Sequence, residues 1–169
     1  MALTVEDGSI VTNADSFVSL ADARTLATAL GWSLPDDDTE AEAALRNGAQ
    51  YISLQETSLC GSRVSADQEL AYPRKNVRLY GFDVASDAIP KLVIKAQIAA
   101  AVEYGKGTDV RASTDGRAIT HEEVTGAVAV DYSDNGVTGA TVTITAAMDA
   151  LRPLICGGNN GFQFSVTRG

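Results

Sequence analysis

Hydrophobic positions recur at helical spacing in several stretches of the chain and alternate with polar positions near its end. The longest apolar stretch, residues 89–104 (IPKLVIKAQIAAAVEY), has no polar face wide enough for a surface helix. Pro90 suits a first helical turn and Gly105 is a typical stop. The pattern predicts a buried central helix, roughly 20 Å long and too short to cross a bilayer.

Two amphipathic helices are predicted before the central helix. The first begins after Ser19 as its N-cap and ends at Gly31, with leucines and alanines on one face. The second runs over about residues 39–54, and three aspartates, 36–38, gather at its start, where the helix dipole favours negative charge. Because these aspartates lack calcium-loop spacing and a partnering histidine, capping is preferred to a metal site.

Two shorter helices are predicted from capping residues. Ser65 and Gln68 have the spacing of a capping box, which predicts a short helix as far as Ala71, with Pro73 just beyond it. Thr145 is a suitable N-cap for a last helix over residues 146–151.

The alternating segments predict extended structure towards the C-terminus. Residues 119–132 alternate as a strand, Asn135-Gly136 has the character of a type I′ turn, and residues 140–144 form a returning strand, which together predict a β-hairpin. Glycines and asparagines at 157–161 then precede a second alternating segment. That segment is typical either of an arm that pairs with another chain or of a disordered terminus.

These elements predict a mainly α protein, a small helical bundle around a central buried helix with a projecting β-hairpin and an extended C-terminal arm. The 169 residues, 45% of them hydrophobic, suit one globular domain. We place that domain at 1–156, with the hairpin insertion at about 118–145, and the flexible arm at 157–169.

The termini, cysteines and apolar runs predict a location. The N-terminus has no basic region followed by an apolar run, and no segment is long enough to span a membrane, so we expect a cytosolic protein or part of a particle assembled in a cytosol. Cys60 and Cys156 are far apart and not in CxxC spacing. Two reduced, half-buried thiols are therefore expected in preference to a disulfide or a metal site.

Motifs for catalysis are lacking in the sequence. His121 is the sole histidine, and its neighbours Glu122 and Glu123 point to alternate faces of the predicted strand. There is no GxSxG sequence, and the glycines at 105 and 107 follow a helix, whereas a phosphate loop precedes one. We expect no enzyme activity, no catalytic or metal-binding residues and no cofactor.

Charge is the more informative property. The net charge is -9, which is unfavourable for a protein whose main task is to hold phosphates. The most basic local cluster contains Arg63, Tyr72, Arg74, Lys75 and Arg78. Cations interleaved with aromatics can bind single strands, but a basic loop that pairs with acidic groups in the same or the next subunit is the simpler interpretation.

Motifs in a consistent order along most of the chain give it a family resemblance. They are Asn13 to Ala23 (NADSFVSLADA), Trp32, Ala43-Ala44-Leu45, Tyr51-Ile52, Gly61-Ser62-Arg63, Gln68-x-Leu70-x-Tyr72-Pro73-Arg74, Ile89-Pro90, Lys95-Ala96, Glu123-Val124-x-Gly126-x-Val128-x-Val130-x-Tyr132 and Leu151-x-Pro153-Leu154. The chain resembles the tailed-phage head-tail adaptor, or head completion, proteins, a group also labelled DnaT-like single-stranded-DNA-binding. It departs from them at Tyr72, where a Trp is usual, and in a longer 133–145 segment.

The resemblance implies a structural virion protein at the head-tail interface, assembled in the host cytoplasm. Its subunits would form a homo-oligomeric ring of twelve copies between the portal protein and a tail or nozzle protein. DNA would pass through the channel at ejection without sequence-specific binding, and no membrane is involved. In that setting the arm residues Phe162, Phe164, Val166 and Arg168 would bind the portal or a neighbouring subunit. The alternative is a single-stranded-DNA-binding replication accessory protein.

Overall fold

The computed structural model describes residues 2–107, 121–122, 130–131 and 143–156. The helices in these ranges are α1 (Leu20–Ala29), α2 (Asp38–Leu54), α3 (Lys91–Gly105) and α4 (Thr145–Leu151). Short 3₁₀ turns, Glu56–Ser58 and Arg152–Leu154, follow α2 and α4. The strands are only two residues long, so the prediction of a mainly α protein is confirmed.

Helix α3 is the centre of the bundle, as predicted, because α1, α2 and α4 all pack against it. Eight of its residues are buried: Val93, Ala96, Gln97, Ile98, Ala99, Ala100, Ala101 and Val102. The closest approach is at Gly48 of α2, where a Cβ atom would overlap the backbone carbonyl of Gln97. A glycine at this position lets the two helix backbones come together.

The side chain of Gln97 connects three segments inside the core. Its Oε1 accepts the Phe17 N–H at 3.0 Å, and its Nε2 donates to Ser16 Oγ at 2.8 Å and to the Leu45 carbonyl at 2.9 Å. The amide is fully buried and fully hydrogen-bonded, which is the condition under which a buried polar group stabilises a fold. Gln97 therefore ties α3 to α2 and to the segment before α1.

The predicted helix starts are confirmed at the residues that cap them. Ser19 Oγ accepts the Asp22 N–H, and Asp37 Oδ1 accepts the N–H groups of Thr39 and Glu40. Of the three aspartates, Asp37 thus caps α2, as predicted, while Asp38 in the first turn pairs with Arg24 at 2.8 Å. The N-cap prediction for Thr145 is wrong, because Thr145 is the first residue of α4 and Ile144 precedes it without a side-chain cap.

The short helix predicted as far as Ala71 is also wrong. Gln68 Oε1 does accept the Ser65 N–H, as a capping box requires, but it shares that oxygen with the Val64 N–H. The Gln68 amide nitrogen then donates to the carbonyls of Leu70 and Pro73. Because these bonds satisfy the local backbone outside a helical geometry, the segment folds as a turn.

The strands form three antiparallel pairs in the described residues. β1 (Ser62–Arg63) pairs with β2 (Arg74–Lys75), β3 (Arg78–Leu79) with β4 (Phe82–Asp83), and β5 (His121–Glu122) with β6 (Val130–Asp131). The last pair corrects the prediction of one continuous strand over 119–132, since its two ends pair with each other. Period-two alternation indicates which residues can be extended, not where the chain reverses, and Gly126 lies between the paired ends.

Contacts divide the chain into two compact units, Met1–Thr108 with Ile144–Gly169, and Asp109–Thr143. In the second unit the structure describes the β5–β6 pair. The predicted turn at Asn135-Gly136, the returning strand at 140–144 up to residue 142, and the arm at 157–169 lie outside the described residues. The boundaries predicted for the domain, the insertion and the arm therefore stay predictions.

Cys60 and Cys156 form a disulfide, so the expectation of two reduced thiols is wrong. Their Cα atoms are 4.8 Å apart although 96 residues separate them. The Cys60 N–H donates to the Leu154 carbonyl and the Cys156 N–H to the Ser58 carbonyl, while Leu59 forms an antiparallel bridge with Ile155. Backbone pairing after α2 and α4 brings the two cysteines together, and sequence spacing does not record such pairing.

Candidate functional site

The basic cluster predicted from sequence is built on the β1–β2 pair. In its register Arg63 lies opposite Arg74 and Ser62 opposite Lys75. Adjacent partners on antiparallel strands share a face, and both arginines reach Glu56 in the 3₁₀ turn after α2. The pairing of β1 with β2 therefore gathers two cations around one carboxylate.

Arg63 binds Glu56 with two parallel hydrogen bonds. Nε donates to Oε1 at 2.6 Å and Nη2 to Oε2 at 2.7 Å, while Nη1 donates to the Gln68 carbonyl at 2.6 Å. The Arg63 side chain is about one-third exposed. Its hydrogen bonds to Glu56 lower the pKa of that carboxyl, and the charges of Arg63 and Arg74 lower it further. The same bonds raise the pKa of Arg63.

Arg74 is buried, with only 5% of its surface exposed. Its guanidinium donates to the carbonyls of Cys60 at 2.8 Å and Gly61 at 2.9 Å, and more weakly to those of Leu59 and Ala71. Nη1 also contacts Glu56 Oε1 at 3.2 Å. Arg74 thus organises the loop around the disulfide and has little surface left for a ligand.

Tyr72 is fully buried as well. Burial raises the pKa of its hydroxyl to about 12, and within the described part of the chain that hydroxyl has no hydrogen-bond partner. A ring in this position cannot stack on a nucleic-acid base. Arg63, Tyr72 and Arg74 are therefore parts of the folded interior and its edge.

Lys75 and Arg78 are the members of the predicted cluster that reach the surface. Lys75 is exposed. Arg78 pairs with Asp83 across the β3–β4 hairpin at 3.2 Å and donates to the Gly81 carbonyl at 2.8 Å. The side chains of that ion pair are mostly exposed, so it is screened by solvent and contributes little to stability.

The β3–β4 hairpin also displays two aromatic side chains, Tyr80 at 75% and Phe82 at 78% exposure. We call these two residues the aromatic knob. Tyr80 and Gly81 form the turn, and both have positive φ, 53° and 89°. Phe82 was not among the predicted site residues. A signal for it existed, because Tyr80-Gly81 between Arg78-Leu79 and Phe82-Asp83 has the length of a two-residue hairpin turn.

A second surface feature is an open groove of about 650 Å³ between the N-terminal segment, α1 and the start of α3. Its apolar lining includes Val5, Phe17, Val18, Leu26, Ile89 and Ile94, and its carboxylates are Glu6, Asp7 and Asp22. Among the described residues, no lysine, arginine or histidine lines it. We call it the acidic groove. Sequence reasoning missed it because its walls come from three separate segments.

The carboxylates of the acidic groove have different roles. Glu6 is buried and accepts the backbone N–H groups of Gly8, Ile10 and Val11, which folds the N-terminal loop. Asp22 accepts the hydroxyl of the capping Ser19 at 2.7 Å. Asp7 is exposed, and hydrogen bonds from Ser9 lower its pKa.

Other predicted features lie elsewhere or outside the description. The arm residues Phe162, Phe164, Val166 and Arg168 are outside the described residues, as are the side chains of His121 and Glu122. Among the residues that the structure describes, no three His, Cys, Asp or Glu side chains are grouped to hold a metal ion. None of the described helices has the length and apolarity needed to span a membrane.

Comparison with known proteins identifies one matching family. The sequence model described as "Putative DnaT-like ssDNA binding protein" matches residues 1–169. No curated protein matches the chain, and no solved structure does.

Proposed function

The chain belongs to the DnaT-like single-stranded-DNA-binding family, and we propose that this member is a head-tail adaptor. In this proposal copies of the chain form a ring, of about twelve by the resemblance described above, between the portal of a DNA-filled phage head and the tail or nozzle. The ring forms part of the channel through which DNA leaves the head.

The observation that carries the proposal is the internal use of the arginine cluster. A protein that grips single-stranded DNA needs cations free to neutralise phosphates and aromatic faces free to stack on bases. Arg63 and Arg74 are instead bound to Glu56 and to backbone carbonyls, and Tyr72 is buried. Arg63, Tyr72 and Arg74 of the basic cluster are thus structural parts of the fold, and Lys75 and Arg78 are its exposed members.

The overall charge supports the same function. A net charge of -9 repels phosphates, and a channel wall that repelled DNA would let it pass without tight binding. The exposed acidic residues before and in the first turn of α2, at 36–38 and 40, are examples of such surface charge. An adaptor needs a rigid body with surfaces for neighbours, and the α-helical bundle provides one.

Contacts with other virion proteins are assigned in this proposal to the segments predicted from sequence. The arm at 157–169, through Phe162, Phe164, Val166 and Arg168, binds the portal or the next subunit by strand addition. The 118–145 region contacts the tail or an adjacent subunit. Removing the residues after Gly157 should leave a folded bundle that no longer binds portal, and unchanged affinity of the truncated chain would refute this assignment.

Electron microscopy of the purified protein, alone and mixed with the cognate portal, tests the adaptor function. We expect rings that appear, or become complete, when portal is present. A protein that neither forms rings nor binds portal under any condition would exclude the proposal.

A second candidate, a single-stranded-DNA-binding accessory protein, is favoured by the family description and by the exposed Lys75, Arg78, Tyr80 and Phe82. A titration with a fluorescent oligonucleotide over a range of salt concentrations separates the two functions. DNA binding of the accessory type would be salt-dependent and would be lost in the variant Tyr80→Asn/Phe82→Thr. An adaptor should show no binding at physiological salt.

A further inference from the structure

Packing within the part of the chain that the structure describes does not explain the two aromatic residues of the knob. Tyr80 adopts a left-handed backbone conformation, which Asn and Gly tolerate better than tyrosine. Its ring and that of Phe82 remain about three-quarters exposed. Paired exposed aromatics on a short, defined turn have the character of anchor residues at protein interfaces.

The acidic groove has the complementary properties. It is concave where the knob is convex, its floor is apolar, and the described residues that line it include carboxylates but no cation. Lys75 and Arg78, which precede the knob in the sequence, are exposed cations, and Arg78 pairs with the exposed Asp83. Hydrogen bonds from Ser9 lower the pKa of Asp7, which lies at the groove.

We propose that the aromatic knob of one copy inserts into the acidic groove of a neighbouring copy. The inference rests on the proposed ring and deepens it, because it names the contact that joins one subunit to the next. The aromatic rings cover the apolar floor, and Lys75 and Arg78 face Asp7 and Asp22 across the rim.

The position of the two surfaces determines what this contact builds. The knob is on the β3–β4 hairpin, which lies against the Arg152–Leu154 turn. The groove is formed by other elements, the N-terminal segment, α1 and the start of α3. A contact between two different surfaces is heterologous, so the two subunits at the ends of a growing chain keep a free knob and a free groove. The contact can then repeat, and it gives a ring when the rotation between subunits closes and a filament when it does not.

Variants on either side of the contact test it. Tyr80→Asn/Phe82→Thr removes the knob and places a residue that tolerates positive φ in the turn. Leu26→Arg places a cation in the groove at a position already 42% exposed. Matched controls are Leu30→Arg, at the C-cap of the same helix with 41% exposure and not part of the groove lining, and Leu54→Thr, 59% exposed on α2.

Sedimentation velocity measures self-association of each variant alone, and electron microscopy measures ring completion on purified portal. We expect the knob and groove variants to weaken association at least roughly tenfold, or about 1.4 kcal/mol, and to leave rings on portal incomplete. The two controls should associate as the wild type does. Circular dichroism melting curves confirm that each variant is folded.

Mixing the two defective variants gives the sharpest result. The knob variant keeps its groove and the groove variant keeps its knob, so a heterologous contact predicts heterodimers that cannot grow further. A mixture that remains monomeric, although the wild type associates, overturns the proposal. The proposal is also overturned if the knob and groove variants self-associate as strongly as the wild type.

The outcomes also separate this contact from the adaptor function. If the knob and groove variants complete rings on portal as the wild type does, the contact is refuted and the adaptor function stands. If the wild type does not bind portal but self-associates through knob and groove, the adaptor function is refuted and the contact is supported. Oligonucleotide binding lost in the knob variant, with wild-type self-association in both variants, would reassign the knob to nucleic acid.

Discussion

At the scale of single residues, the contrast between Arg74 and Lys75 is the clearest result. They are neighbours on β2, yet one is 5% exposed and bound to carbonyls while the other faces solvent. Alternation along a strand sends adjacent side chains to opposite faces. A basic cluster in sequence can therefore be divided by the fold into an interior group and a surface group.

Replacing Arg74 by alanine should destabilise the fold by about 3 kcal/mol, since Glu56 and several backbone carbonyls would lose a buried donor. Urea unfolding followed by circular dichroism measures this difference. Lys75→Ala is the matched control and should change the unfolding free energy by less than about 0.5 kcal/mol. Equal effects of the two substitutions would contradict the structural role of Arg74.

Glu56 should make stability depend on pH in the acidic range. Its pKa is lowered in the folded state from an ordinary value of 4.5, so the carboxylate stabilises the fold above that value and this contribution disappears as pH falls through the folded pKa. The wild type should therefore exceed Glu56→Gln in unfolding free energy at neutral pH. Urea titrations at several pH values should show this difference in unfolding free energy shrinking below about pH 4.5. A difference that stays constant with pH would contradict the stabilising role of the Glu56 carboxylate.

Sequence reasoning found the members of the basic cluster but not their partners. Glu56 is separated from Arg74 along the chain, and the other acceptors of Arg74 are backbone carbonyls, which have no signature in sequence. Similarly, Phe82 and the acidic groove depend on a two-residue turn and on three converging segments. Tertiary proximity decides these features, and it cannot be obtained from local spacing.

At the scale of elements, prediction succeeded where the determining contacts are local. Ser19 and Asp37 cap helices through bonds to residues two or three positions away, so the starts of α1 and α2 followed from sequence. The segment after Ser65 has the same local signal, and Gln68 Oε1 accepts the Ser65 N–H, but the Gln68 amide nitrogen also donates to the carbonyls of Leu70 and Pro73, and the segment folds as a turn. A cap signal is reliable only when no competing acceptor follows it closely.

The contact between α2 and α3 should make Gly48→Ala destabilising, although alanine is the better helix former by about 1 kcal/mol. The added Cβ would meet the backbone at Gln97 and Ala101, so the two helices must move apart, at a cost of about 1–3 kcal/mol. Thermal unfolding monitored by circular dichroism provides the test.

The reverse substitution at an exposed position of α2 is the control for Gly48. Ala43→Gly should destabilise by about 1 kcal/mol through helix propensity alone. If Gly48→Ala raised the melting temperature, the close packing of α2 on α3 would be incorrect.

At the scale of the whole molecule, the disulfide joins the segments that follow α2 and α4, which are 96 residues apart in the sequence. Opening a loop of this length should cost roughly 4–5 kcal/mol in the chain-entropy account. The wild type should therefore melt at a lower temperature with dithiothreitol than without it. The variant Cys60→Ser/Cys156→Ser should have the melting temperature of the reduced protein, with or without dithiothreitol. A wild-type melting temperature that does not change with dithiothreitol would contradict the disulfide.

The hydrogen bonds of Gln97 have a consequence for the way the chain folds during synthesis. The acceptor of the Phe17 N–H, the Gln97 side chain, lies 80 residues further along the chain. The N-terminal segment and α2 therefore leave the ribosome before the side chain that joins them has been synthesised. An early nascent chain holds helices but no finished core, because contacts distant in sequence form last. The bundle can close only once α3 has cleared the exit tunnel, and truncated translation products that end before residue 97 should be readily digested by protease.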